Sequence, residues 1–227
     1  MLKKLKQFYR YIVYDESLTS LVLSTVISLL FIIFIFYPLL GWSLNSNFPI
    51  VAIQSGSMHH EGSFENWWGS KADCSNTFCK QSEYYTNINI TKNDFLNYDY
   101  SNGFNKGDVM VIMGKDNYQI GDVIVFQTND PTPIIHRVIK KKIVNNNTIY
   151  QTKGDFNEKS IFLQTRFYTL IDEFNINEKN IYGKAVFRIP YLGWIKIIAW
   201  QIFVTPIYLI AIIILIGIYY YFKNKLF

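Results

Sequence analysis

The chain has 227 residues, half of them hydrophobic, with a net charge of +5 and a pI near 9.0. That length holds one or two domains, but two long apolar runs near the ends leave only the middle for one compact extramembrane domain. The basic balance does not point to nucleic acid: Lys3, Lys4, Lys6, Arg10, Lys223 and Lys225 flank the apolar runs, where lysines meet anionic lipid, and no base-reading or stacking motif accompanies them.

Between Glu16 and Glu61 there is no Asp, Glu, Lys or Arg, and residues 18–44 are almost wholly apolar, enough to cross a bilayer at about 20 residues. The run exceeds the h-region of a cleavable signal peptide and no small-residue cleavage site follows it, so a retained anchor is predicted. Basic residues precede it and the next is Lys71, which places residues 1–17 in the cytoplasm and the middle outside. The uncharged run 197–222 predicts a second span at 196–222 and a cytoplasmic tail at 223–227, so both termini are expected on the cytoplasmic side of a lipid bilayer. Pro38 and Pro206 predict a kink or an end in each span.

The middle, residues 45–195, changes to short apolar runs broken by Gly, Asn and Asp. Runs at 109–113, 123–127, 134–140, 148–152 and 185–189 are rich in β-branched and aromatic residues and read as strands. Gly107-Asp108, Gly121-Asp122, Asn145-Asn146-Asn147 and Gly154-Asp155 mark turns between them. The expected domain is therefore mostly β. Residues 61–105 are polar and without period, and read as an inserted surface region. Within it Cys74 and Cys79, the only cysteines, are expected to close a small disulfide loop in an extracytosolic setting.

A serine hydroxyl needs a base within hydrogen-bond reach to act as a nucleophile, commonly a histidine oriented by a carboxylate. The sequence offers Ser55-Gly56-Ser57-Met58 after an extended segment, then Ile135-His136-Arg137-Val138, then Lys153-Gly154-Asp155. With the two Gly-Asp strand starts, this ordered set resembles the boxes of signal peptidase I over most of residues 48–194, the insertion excepted. It is specifically similar to the archaeal and endoplasmic-reticulum branch, where histidine stands in place of the bacterial lysine. Residues 183–194, Gly-Lys-Ala-Val-Phe-Arg-Ile-Pro-Tyr-Leu-Gly-Trp, also look like the end of that catalytic domain.

The resemblance implies the signal peptidase/LexA-like β fold flanked by two transmembrane helices, with a Ser-His site cleaving signal peptides from preproteins after small residues. It implies Ser57 as nucleophile, His136 as general base, and an oxyanion hole from the Ser57 N–H and the Ser55 hydroxyl. Asp155 matches the family's first aspartate and is the favoured acid. The second aspartate, usual five or six residues later, is replaced by Ser160 and Ile161, which leaves Asp172 or an unassisted Ser-His pair as alternatives. Acyl transfer by serine calls for no cofactor, and the translocation machinery is a further expected partner. An anchored protease for another substrate and a non-catalytic binding protein of the same fold are the rivals.

Other residues have plainer readings. His59 and His60 are adjacent on an extended segment, point to opposite faces and lack a third ligand of suitable spacing, so no metal is expected. Trp67 and Trp68 suit either a loop core or a membrane interface, Trp42 and Trp194 the interface, and Lys106 and Lys153 read as solvated lysines beside turns.

Overall fold

The computed structural model describes residues 2–75, 77–204, 210, 213 and 214. It divides into two compact units, Met1–Pro49 and Ile50–Phe227. In the first, α1 (Leu2–Tyr14) carries the N-terminal basic residues. The Ser17 hydroxyl caps α2 (Leu18–Phe31) by accepting from the Ser20 N–H at 3.2 Å. A π-helical turn (Ile32–Phe36) and α3 (Tyr37–Ser43) continue it. Together Leu18–Ser43 make 26 helical residues, roughly 39 Å at 1.5 Å per residue, long and apolar enough to cross a membrane. Pro38 does not end this helix. A proline lacks the N–H and crowds the carbonyl four residues back, and the preceding turn loosens to accommodate it, the Tyr37 N–H reaching Ile32 O five residues back.

The second unit contains β1 (Ile50–Ala52), α4 (Phe64–Trp68), β2 (Lys71–Asp73), β3 (Phe78–Lys80), α5 (Gln81–Asn87), α6 (Lys92–Leu96), β4 (Val109–Met113), β5 (Val123–Phe126), β6 (Ile134–Val144), β7 (Asn147–Lys153), β8 (Phe162–Gln164), β9 (Thr169–Asp172), β10 (Ile176–Asn177), β11 (Ile181–Ile189) and α7 (Trp194–Val204). Seven strands form one antiparallel sheet in the order β1-β4-β11-β5-β6-β7-β10. Continuous apolar runs such as Val123–Phe126 are buried on both faces: Val123 and Val125 join Met110, Ile112 and Ala185, while Ile124 and Phe126 join Val138 and Tyr150. Asn145 and Asn146 take positive φ of 50° and 61° in the β6–β7 turn, a conformation asparagine tolerates and which suits the twist of a hairpin. The fold is thus the mostly β one expected, with one helix suited to a membrane. The second expected span, 196–222, starts within α7, and beyond Val204 only residues 210, 213 and 214 of it are among the described residues.

The insertion, read as a surface region, holds three short helices and the β2–β3 hairpin, and part of it is buried. Ser63 and Thr91 cap α4 and α6, accepting from Asn66 N–H and Asp94 N–H. Trp67, Trp68, Tyr85, Ile90 and Phe95 bury one another against Ile139 of β6. Trp67 and Trp68 therefore belong to a core, whereas Trp42 is 83% exposed. Cys74 and Cys79 are disulfide-bonded across the β2–β3 hairpin.

Candidate active site

Ser57 sits in a tight turn after β1, closed by the His59 N–H donating to Gly56 O at 3.0 Å. Its hydroxyl lies 3.2 Å from the Ser55 hydroxyl. Both serines line an open cleft of about 650 Å³ with Gly56, His59, Asn105, Lys106, Phe156 and Asn157. Ser57 is half-buried, and its carbonyl accepts the Phe156 N–H at 2.8 Å. The loop after β7 is thereby fastened to the serine turn.

His136 projects from β6 opposite Ile124 of β5 and is 3% exposed. A Cβ added at Gly154 would stand 2.8 Å from His136 Nε2 and 2.8 Å from Ser57 O. Glycine is required there by that close approach, which brings the imidazole beside the serine. Asn157 Nδ2, 2.7 Å from the same point, is buried with no hydrogen-bond partner among the described residues.

The carboxylate against His136 Nδ1 is that of Glu173, not Asp155. Glu173 is fully buried. Its Oε1 also accepts from the Thr152 hydroxyl at 2.8 Å and its Oε2 from the Ile161 N–H at 2.6 Å. Asp172, considered from sequence, turns the other way and accepts from Phe174 N–H and Asn175 Nδ2. Along an extended strand neighbours face opposite sides, so of two consecutive acids one alone reaches inward. That alternation was the available signal, but it does not say which one.

Asp155 instead faces Arg137, the residue after His136. Arg137 Nε and Nη2 donate to its two oxygens at 2.9 and 2.8 Å, and His60 Nε2 lies 3.1 Å from Oδ2. Burial alone would raise the Asp155 pKa, but the Arg137 charge and these hydrogen bonds outweigh it and hold the carboxyl well below the usual range. Arg137 is saturated further by the carbonyls of Asp99, Gly121 and Tyr100 and rests 4.7 Å from the Phe95 ring. The insertion thus walls in the ion pair. His60 stacks on Trp67 with ring centroids 3.8 Å apart, while His59 Nδ1 meets Asn105 Oδ1 at 2.5 Å.

Lys106 is exposed, as expected, but Lys153 is not solvated: it is fully buried. Its ammonium reaches Gln81 Oε1, Gly154 O and Asp155 O at 2.9, 3.1 and 3.3 Å, with the Tyr84 and Tyr85 rings beside it. Desolvation pushes its pKa down to about 7, against the opposing charges of Asp155 and Glu173.

No family model matches the chain. It is similar to the signal peptidase complex catalytic subunit SEC11 of Komagataella phaffii, 26% identical over 175 residues, 73% of this chain and 74% of that one. The proteins of that name from Candida tropicalis and Yarrowia lipolytica are 27% and 28% identical over 42% of this chain. In those two the matched region spans just over half of the relative's length, 57% and 55%. By name these relatives define a class, the catalytic subunits of signal peptidase. They support a signal peptidase I family of the endoplasmic-reticulum and archaeal type.

Proposed function

We propose that the chain is a membrane-anchored serine endopeptidase that removes N-terminal signal peptides from secreted preproteins after small residues. Ser57 Oγ attacks the scissile carbonyl as its proton passes to His136 Nε2, and the imidazolium then protonates the leaving amine. The Ser57 N–H and the Ser55 hydroxyl receive the oxyanion, the hydroxyl lying 3.2 Å from the nucleophile. Water releases the acyl group by the same path in reverse. The observation that carries this reading is the convergence of His136 Nε2 and Ser57 over Gly154 beside an open cleft.

Asp155 acts in this scheme as the counter-charge that locks Arg137 of β6 to the loop holding Ser57 O, so the ion pair sets the distance between base and nucleophile. β1 has β4 as its sole neighbour in the sheet among the described residues, and its free edge suits an extended substrate added as a further strand. Leu18–Ser43 is the anchor, both termini are cytoplasmic, and a second span follows the catalytic domain. The Cys74–Cys79 disulfide supports an oxidising, extracytoplasmic setting. The relatives are named as subunits of a complex, and partner subunits are proposed here too.

The test is mass spectrometry of a preprotein incubated with the lipid-reconstituted full chain and its Ser57→Ala variant. One cut after a small residue, absent in the variant, is expected. An intact signal sequence beside Ser57-dependent cleavage of other proteins would move the substrate elsewhere.

A further inference from the structure

We infer that Glu173 is the positioning residue of His136, taking over from another part of the chain the place left empty at Ser160 and Ile161. The inference rests on the Ser57–His136 reading above. A carboxylate accepts hydrogen bonds and does not donate them, so Glu173 Oε1 against Nδ1 keeps the ring proton on that nitrogen and leaves the Nε2 lone pair for the serine. The two side chains are only 4% and 0% exposed, so water does not compete for either group.

The carboxylate is itself built in. Thr152 Oγ1 holds the oxygen that meets His136, and the Ile161 N–H holds the other. The Glu173 backbone is clamped in both directions, its N–H donating to Ile161 O at 3.0 Å and its carbonyl accepting from Thr152 N–H at 2.9 Å. Ile161 occupies one of the two positions where the family resemblance expects the acid, and here it offers its backbone to an acid arriving from the end of β9. Ser160, the other, donates to Thr152 O at 2.6 Å and so supports the same strand end. No other acid approaches the ring among the described residues: Asp155 is taken by Arg137 and His60, and Asp172 caps a surface turn.

The test uses the lipid-reconstituted full chain and a fluorophosphonate probe, which forms a Ser57 Oγ–P bond with loss of fluoride as the serine proton passes to His136. It needs no signal peptide. A base left in the wrong tautomer costs up to about 10⁴-fold in a comparable triad, so labelling of Glu173→Gln is expected to slow by about a hundredfold or more. Glu173→Asp should recover much of that loss and Asp172→Asn should label at the wild-type rate. In ¹⁵N-histidine spectra the His136 signature should change from a protonated Nδ1 in wild type to a mixture of tautomers in Glu173→Gln. Wild-type labelling by folded Glu173→Gln, or an unchanged His136 signature, overturns the inference. Should Glu173→Gln fail to fold, a folded Glu173→Asp that labels no faster than His136→Ala overturns it as well. A wild-type chain that does not label at all fails one step earlier, sinking the Ser57–His136 reading and this inference with it; labelling without signal-peptide cleavage would spare both and redirect only the substrate.

Discussion

Consecutive residues of β6 each face a buried carboxylate, His136 meeting Glu173 and Arg137 meeting Asp155 from opposite sides of the sheet. The Arg137 side is closed: two bonds to Asp155, three to carbonyls and an aromatic ring leave the guanidinium no spare valence. The His136 side is open at one atom, since Nδ1 is satisfied while Nε2 has no hydrogen-bond partner among the described residues and stands next to Ser57. Similar charges in similar burial therefore serve different ends. A fully saturated pair fixes geometry, and a pair with one free lone pair can do chemistry.

Mutations on the two sides should accordingly separate activity from stability. The largest expected effect is on the open side: His136→Ala should lower turnover by about 10²–10⁴-fold while the thermal unfolding midpoint stays near that of wild type. A large loss of stability there would erase the distinction. On the closed side, Asp155→Asn leaves Arg137 with an uncompensated buried charge and should cost about 3–5 kcal/mol in urea unfolding, with activity falling because the Ser57 turn is no longer held. A stable but inactive variant would instead give Asp155 a direct part in the reaction.

The smallest effect is a pH slope from Lys153, which lies under the closed side. Its folded pKa of about 7 is below the ordinary 10.5, so between those values the unfolded chain holds a proton the folded chain lacks. Stability should therefore rise with pH across that window and be flat below it. Burial raises the Tyr150 pKa to about 12, so above pH ~10 the sign reverses and stability falls. Unfolding midpoints of Lys153→Met between pH 7 and 10 should lose the upward slope; an unchanged slope would mean another group supplies it.

The two sides also differ in how far they could be read beforehand. The strands at 109–113 and 123–127 were plain from β-branched runs between Gly-Asp turns, because each run packs on both faces and tolerates no polar interruption. His136 and Ser57 were named by resemblance, and His136 Nε2 and the Ser57 carbonyl both border Gly154. Glu173 was missed: Asp155 was the favoured acid and Asp172 the alternative, and which of Asp172 and Glu173 turns inward depends on a pairing with Ile161 that β-propensity does not encode. The insertion was illegible for a related reason. α4, α5 and α6 have five, seven and five residues, too short for a 3.6-residue period to show, and they are stabilised by aromatic packing between segments more than by local preference. Lys153 looked like a turn lysine until Gln81, Tyr84 and Tyr85 of that insertion closed over it.

The partners gathered by Arg137 also order the events of folding. They stand 38, 37 and 16 residues before it and 18 after it in the chain, so its coordination draws on segments distant in sequence. During synthesis Arg137 emerges ahead of Asp155, its carboxylate partner, and the two meet once the β6–β7 hairpin turns back. Ser57 is fastened by the residue after Asp155, and β11, which joins β4 to β5 in the sheet, follows later still. The proposed site, which draws on Ser57, His136 and Glu173, is therefore complete only once residues 57 to 173 have all been made.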